Sequence, residues 1–165
     1  MFEYSSRLTF TEPYLFHEYI KTQVEFETSA SYQRIRFYGF DADILRISPQ
    51  LSKNFNRWFS TSLRYQFERI VQFDATEEKD NDNFSIGGLT PTLTFDFRDD
   101  VINPRKGAFF TLSSEWANKY FGSMHEKDLE VNFVKVISRN RFYYPVGDFT
   151  CLLYTSDAAD EGLGV

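Results

Sequence analysis

Few side chains in this 165-residue chain stand where they could do chemistry together. His17 and His125 lie in separate segments without metal-ligand spacing, and read as surface or interfacial residues. No serine sits in a Gly-x-Ser-x-Gly elbow. Glu25/Glu27 and Asp41/Asp43 are spaced to share one strand face, the placement that paired acid–base carboxylates would need, yet a polar strand face explains them more simply. The acidic run Asp74 to Asn83 lacks the Asp-x-Asp-x-Asp-Gly spacing of a calcium loop and reads as a solvated connection. A lone cysteine, Cys151, closes no disulfide. The expectation is therefore no catalytic residue, no cofactor site, no metal site and no enzymatic activity.

One constellation remains: Asp96, Arg98, Asp99, Pro104 and Gly107, within the stretch Leu89 to Gly107. Leu89, Leu93, Phe95 and Phe97 alternate with Thr90, Thr92, Thr94, Asp96 and Arg98, a strand with one apolar and one polar face. Asn103-Pro104 then starts a turn, and Gly107 is free to take positive φ before Ala108-Phe109-Phe110 opens the next strand. Asp96 and Arg98 share the polar face. They can form an ion pair that satisfies buried charge, or help position a segment lying inside a lumen. Pro104 and Gly107 read as structural turn residues.

The same period of two runs through the chain and defines the elements around this hairpin. Phe2–Phe10, Phe16–Thr28, Gln33–Pro49, Arg57–Phe73, Phe84–Arg98, Gly107–Ala117 and Glu126–Phe142 read as strands, and an eighth begins at Phe149. Ser29–Ser31 is expected to link the second and third strands, with a bulge near Gly39, and Gln50–Asn56 and Tyr143–Asp148 are expected to turn. Asn118–His125 reads as a polar loop. Tight connections near 11, 50, 99 and 143 alternate with longer ones near 74 and 118, as in a barrel with short turns on one side of a membrane and loops on the other.

Aromatic residues make up 19% of the chain, with 19 Phe and 10 Tyr, while mean hydropathy is −0.43. No apolar run approaches the ~20 residues of a membrane-spanning helix. Composition alone fits either a transmembrane barrel or a soluble β-sandwich. Strand length separates them, because several segments reach a dozen residues where sandwich strands run about five or six. Trp58, Trp116, Tyr14, Tyr143 and Tyr144 are candidates for interfacial aromatic girdles. The formal charge is −6, or −3 without the acidic residues Asp157, Asp160 and Glu161, and this mild remaining acidity argues against a nucleic-acid surface.

The run Leu93-Thr94-Phe95-Asp96-Phe97-Arg98-Asp99-Asp100, with Pro104, Gly107 and Phe110 to Ala117, resembles the Asp-x-Arg-Asp…Pro-x-x-Gly hairpin of bacterial surface-antigen barrels. That superfamily includes outer-membrane barrel-assembly factors of the BamA-like and TamA-like kinds and two-partner secretion transporters. Leu8 to Phe16 is similar to the family's Phe-x-Glu-Pro-x-x-Phe passages, and Glu126 to Pro145 to its next strand into a Tyr-x-Pro turn. The resemblance implies an all-β, antiparallel up-and-down transmembrane barrel of roughly sixteen strands, of which residues 1–150 supply about seven. It implies an outer-membrane location, contact with outer-membrane lipid, and unfolded outer-membrane or secreted client proteins as partners, alongside periplasmic or lipoprotein accessory subunits. The activity it implies is insertion or export of β-rich clients without nucleotide, templated by the barrel's opening seam. A barrel anchor for a lipolytic enzyme and a passive porin-like channel are the alternatives. The family's Val-Arg-Gly-Phe-type lumen loop has no counterpart here, so no functional residue carries over.

At the start, Met1 leads straight into strand-like Phe2-Glu3-Tyr4-Ser5 without a leader pattern, and reads as an internal beginning. At the other end, Cys151 to Glu161 is similar, residue for residue, to an in-frame translation of a tagmentation sequencing adapter, and Gly162 to Val165 fits its continuation. Residues 151–165 are therefore expected to be a non-native tail. Without them the formal charge is −3 and no cysteine remains.

Overall fold

A computed structural model describes residues 4–15, 23–36, 41–73, 83–125, 132–146 and 151–163, and the side chains of these other than 151 and 160–163. Among the described residues nine strands run in chain order: β1 (Tyr4–Glu12), β2 (Val24–Arg36), β3 (Asp41–Asn54), β4 (Phe59–Phe73), β5 (Asn83–Asp96), β6 (Gly107–Ala117), β7 (Met124–His125), β8 (Phe133–Pro145) and β9 (Cys151–Leu163). A three-residue 3₁₀ turn, Lys119–Phe121, separates β6 from β7. The eight long strands form one antiparallel sheet in sequence order, and β7 pairs with β5 beyond the end of β6. Each long strand meets its chain neighbour, the up-and-down topology that the alternating pattern predicts. The sheet is open among the described residues, with β1 and β9 at its edges.

Several expected boundaries move. Ser29–Ser31 is not a link: β2 passes through it, with Ser29 opposite Thr9 and Ser48, and Ser31 opposite Arg7 and Arg46. The small polar residues resemble a turn in composition, but partners on both sides supply the ladder, and the Ser29 and Ser48 hydroxyls meet at 2.8 Å. Arg36 and Asp41 face each other at the end of the β2–β3 ladder, and the bulge expected near Gly39 lies outside the described residues. Likewise β3 continues to Asn54 and β8 to Pro145, past the turns expected at Gln50 and Tyr143. Of the acidic connection expected at Asp74–Asn83, residues 74–82 lie outside the described residues, as does His17, and Asn83 opens β5.

Because directly opposed residues point to the same side, the register sorts the sheet into two faces. One carries Phe59, Leu63, Phe67, Leu93, Phe95, Leu112 and, on β1 to β3, Leu8, Phe10, Ile47 and Leu51. The other carries Arg7, Ser31, Arg46, Glu68, Ser62, Thr92, Ser113 and Glu115. No second layer of sheet or helix covers the apolar face among the described residues. Leu63, Leu93, Phe95 and Phe97 are exposed, and Ala42 and Ala117 are the buried apolar residues. A soluble sandwich would bury one such face around a dry core; this sheet does not.

Candidate functional site: a two-faced wall, its hairpin and its interruption

The β5–β6 hairpin shows why the Asp-x-Arg-Asp…Pro-x-x-Gly residues are spaced as they are. On the polar face the Arg98 guanidinium grips Asp96 as a fork, Nε to Oδ1 at 2.8 Å and Nη2 to Oδ2 at 2.6 Å, and Nη1 donates to the Val101 carbonyl at 3.2 Å. Both side chains are largely covered, and the guanidinium also lies 4.8 Å from the Phe109 ring. Asp99 Oδ1 accepts the backbone N–H groups of Asp100, Arg105 and Lys106 at 3.0, 3.0 and 3.1 Å. Asp100 Oδ1 accepts those of Ile102 and Asn103, both at 2.7 Å. Two carboxylates thus organise five amides of a long turn that would otherwise stay open. The Lys106 N–H above all, then those of Arg105 and Asp100, hold the Asp99 carboxyl below the usual carboxylate range against a smaller opposing desolvation. Gly107 closes the turn at φ +119°, and a Cβ there would stand 2.1 Å from the Phe97 carbonyl oxygen. Only glycine fits. The structure therefore joins Asp96 to Arg98 and assigns Asp99 and Gly107 separate jobs in one turn.

Elsewhere on the polar face, charges are matched across strands. Arg46 forks onto Glu68 at 2.7 and 2.9 Å, and Arg64 donates to Gln50 Oε1 at 2.8 Å. A recess of about 470 Å³ opens beside the β3–β4 turn, lined by Asn54, Asn56, Arg57, Trp58, Phe59, Ser60, Thr94 and Asp96. Asp41 and Asp43, expected on a polar strand face, neither form an acid pair nor lie on this one: they continue the Leu45, Ile47 and Leu51 side of β3 and face Arg36 and Arg34, with Arg34 Nε to Asp43 Oδ1 at 2.6 Å.

On the apolar face, sequence reasoning missed the main girdle. Phe55, Phe59, Phe95, Phe97, Phe110, Phe142 and Tyr154 follow one another across the sheet with neighbouring ring centroids 4.9 to 6.5 Å apart. The signal was the shared register of Phe59, Phe95 and Phe110, invisible until the strands are aligned. Of the expected girdle residues, Trp116 and Tyr144 lie on this face, Trp58 and Tyr14 lie in turns, and Tyr143 points to the opposite side. From Phe97 to Gly87 this face runs eleven residues, ten steps of rise. At ~3.4 Å per residue and a tilt of ~40° that spans about 26 Å, the height of the apolar band of an outer-membrane barrel.

Sequence reasoning also missed a break in the sixth strand. The expected polar loop at 118–125 is a fixed excursion lying over the apolar face. Asn118 Oδ1 accepts from Tyr120 N at 2.9 Å and Phe121 N at 3.3 Å, and Gly122 turns the chain at φ +94°. Tyr65 Oη donates to the Phe121 carbonyl at 2.9 Å, and Ser85 Oγ to that of Gly122 at 2.8 Å. Ser123 is 3% exposed, and its hydroxyl both accepts from Gly87 N at 3.0 Å and donates to Gly87 O at 2.9 Å. One side chain thus replaces the missing strand partner, after which Met124 and His125 resume pairing with Ser85 and Phe84. A Cβ on Gly87 would stand 1.7 Å from the Phe121 carbonyl oxygen, which explains that glycine.

A sequential antiparallel sheet, apolar on one side and polar on the other, with an aromatic girdle and no covering layer of sheet or helix among the described residues, defines the wall of an up-and-down transmembrane β-barrel. The family comparison agrees: the Omp85 superfamily domain matches residues 2–159, and the chain belongs to that superfamily. Members are in general outer-membrane proteins that assemble or translocate other proteins. The chain has no match among curated proteins.

Proposed function

We propose that residues 1–150 form part of the outer-membrane barrel of a factor that inserts or exports β-rich client proteins without enzymatic chemistry. On this reading the apolar face meets lipid, the polar face lines a hydrated lumen, and the tight Asp99–Gly107 turn faces the periplasm. Partners are outer-membrane lipid, unfolded clients and periplasmic or lipoprotein accessory subunits. Residues 151–165 are a non-native tail, of which Cys151–Leu163 pairs with the edge of β8. The observation that carries the reading is the division of β4 from Phe59 to Phe67, and of β5 from Gly88 to Asp96, into two faces in a chain of this superfamily.

Photo-crosslinkers placed at Leu63 and Ser62 in the membrane-inserted chain test both parts of it. Leu63 should label lipid and Ser62 should label an added unfolded outer-membrane client. Recovery of the chain as a monodisperse, cooperatively melting protein in detergent-free buffer would overturn the barrel. Capture of lipid alone at Ser62 would overturn the client-handling role.

A further inference from the structure

The polar face is not satisfied evenly. Along the middle of β3 and β4 its side chains engage one another: Gln50 donates to the Ser52 hydroxyl at 3.0 Å and accepts from Arg64, and Arg46 forks onto Glu68. Toward the β3–β4 turn this stops. Asn54, Ser60 and Thr94 lie side by side across β3, β4 and β5, and none makes a side-chain hydrogen bond among the described residues. All three line the recess of about 470 Å³, together with Arg57, Trp58 and Asp96.

The turn that walls this recess is held in place. Asn56 Oδ1 accepts the backbone N–H groups of Trp58 and Phe59, both at 2.8 Å, and the Trp58 carbonyl accepts from Asp96 N at 2.8 Å. The indole is thereby positioned at the rim, 48% exposed, with the Arg57 guanidinium 5.4 Å from its ring centroid. The Asp96 carboxylate is already engaged by the Arg98 fork. What stays open is neutral: one amide and two hydroxyls, which can all donate and accept, beside an aromatic plate.

That combination matches a sugar, whose hydroxyls ring its edge while the C–H groups of one face are apolar and pack on an aromatic ring. We propose that the recess binds a neutral oligosaccharide, with Trp58 stacking on one ring and Asn54, Ser60 and Thr94 bonding its hydroxyls. The volume lies within the ~300–1,000 Å³ of small-ligand sites. A phosphate would need more than Arg57, the one cation in the lining. The aromatic plate and the bounded volume favour a ring over an extended peptide. The recess is independent of client handling.

The full chain is folded into lauryldimethylamine oxide micelles, whose headgroup carries no sugar, and titrated with maltotriose and chitotriose by calorimetry. At least one should bind at a single saturable site in the millimolar range. Ser60→Ala and Thr94→Val should each weaken that binding about fivefold, the loss of one neutral hydrogen bond. Thr92→Val, on the same face but outside the recess, should leave it unchanged. In a Trp116→Phe background Trp58 is the one tryptophan left, and its emission should shift with the same midpoint. Vesicle flotation checks that each variant still inserts; if Thr94→Val does not, Ser60→Ala decides. Failure of both sugars to bind, or binding that Ser60→Ala leaves unchanged, overturns the proposal. Equal binding of a triserine peptide would mark a general polar-peptide site and also overturn the sugar assignment.

Discussion

The β4–β5 and β8–β9 hairpins are built on the same antiparallel ladder, each paired along almost its full length. In β4–β5 the side chains sort with the ladder: Phe59 opposes Phe95, Thr61 opposes Leu93 and Leu63 opposes Pro91 on one face, while Ser60, Ser62 and Arg64 oppose Thr94, Thr92 and Thr90 on the other. In β9 the sorting fails. Leu152, Leu153 and Tyr154 put apolar surface on both sides, all of it exposed. Asp157 lies opposite Arg139, yet the two form no ion pair among the described residues. Backbone hydrogen bonds accept almost any sequence at a sheet edge, whereas two-sided solvation selects one. The Omp85 match itself continues to residue 159, so strand formation at 151–159 and its side-chain pattern point in different directions. The proposed non-native tail accounts for the second.

The contrast breaks most readily with a charge on the apolar face. Leu63→Lys should lower folding stability in vesicles by about 2–4 kcal/mol, the cost of a lysine near the mid-plane of a barrel's lipid face. Ala158→Lys, on the same face of β9, should change it by less than ~0.5 kcal/mol, as at an unconstrained surface. Equal costs, read from urea midpoints, would mean that β9 is as much a part of the wall as β4.

Turn chemistry gives the next effect. Gly107→Ala forces a side chain onto the Phe97 carbonyl at positive φ, and should cost about 1–3 kcal/mol. A smaller loss is expected on the polar face. Arg46→Ala strands the largely covered Glu68 carboxylate and should cost about 1–2 kcal/mol, between the values for exposed and buried pairs. Arg139→Ala, facing β9, should cost less than ~0.5 kcal/mol. Urea unfolding monitored by tryptophan fluorescence measures all three.

What was legible in the sequence follows the same division. Period two named the strands because lipid and water impose opposite demands on alternate residues, so Phe59 to Phe67 could be assigned without coordinates. Ser29-Ala30-Ser31 misled because small polar residues suit turns, and only partners on both sides, Thr9 and Ser48 for Ser29, hold them extended. The aromatic girdle depends on register between strands far apart in the chain, which no local pattern carries. The excursion left traces, Asn118, Gly122, Ser123 and the Gly87-Gly88 pair, but their meaning required knowing that residue 123 returns to residue 87.

The smallest effect concerns protons. Asp99 is held ionised by the amides of Lys106, Arg105 and Asp100, so its folded pKa lies below the unfolded value of about 3.9. A depressed carboxyl contributes to stability above the unfolded pKa and loses that contribution as pH falls through the lower folded value. The β5–β6 turn should therefore loosen only in strong acid, seen as a coupled movement of the Asp100, Arg105 and Lys106 amide resonances in micelles. Asp99→Asn keeps an accepting oxygen but removes the charge, and should abolish the acid step while leaving the turn assembled at neutral pH. The amides of Arg141 and Thr155, paired across β8–β9, serve as the internal comparison and should not follow that transition. If they moved with the Asp99 turn in the same pH window, acid would be opening the whole sheet, and the carboxylate would not be the local clamp that its three hydrogen bonds describe.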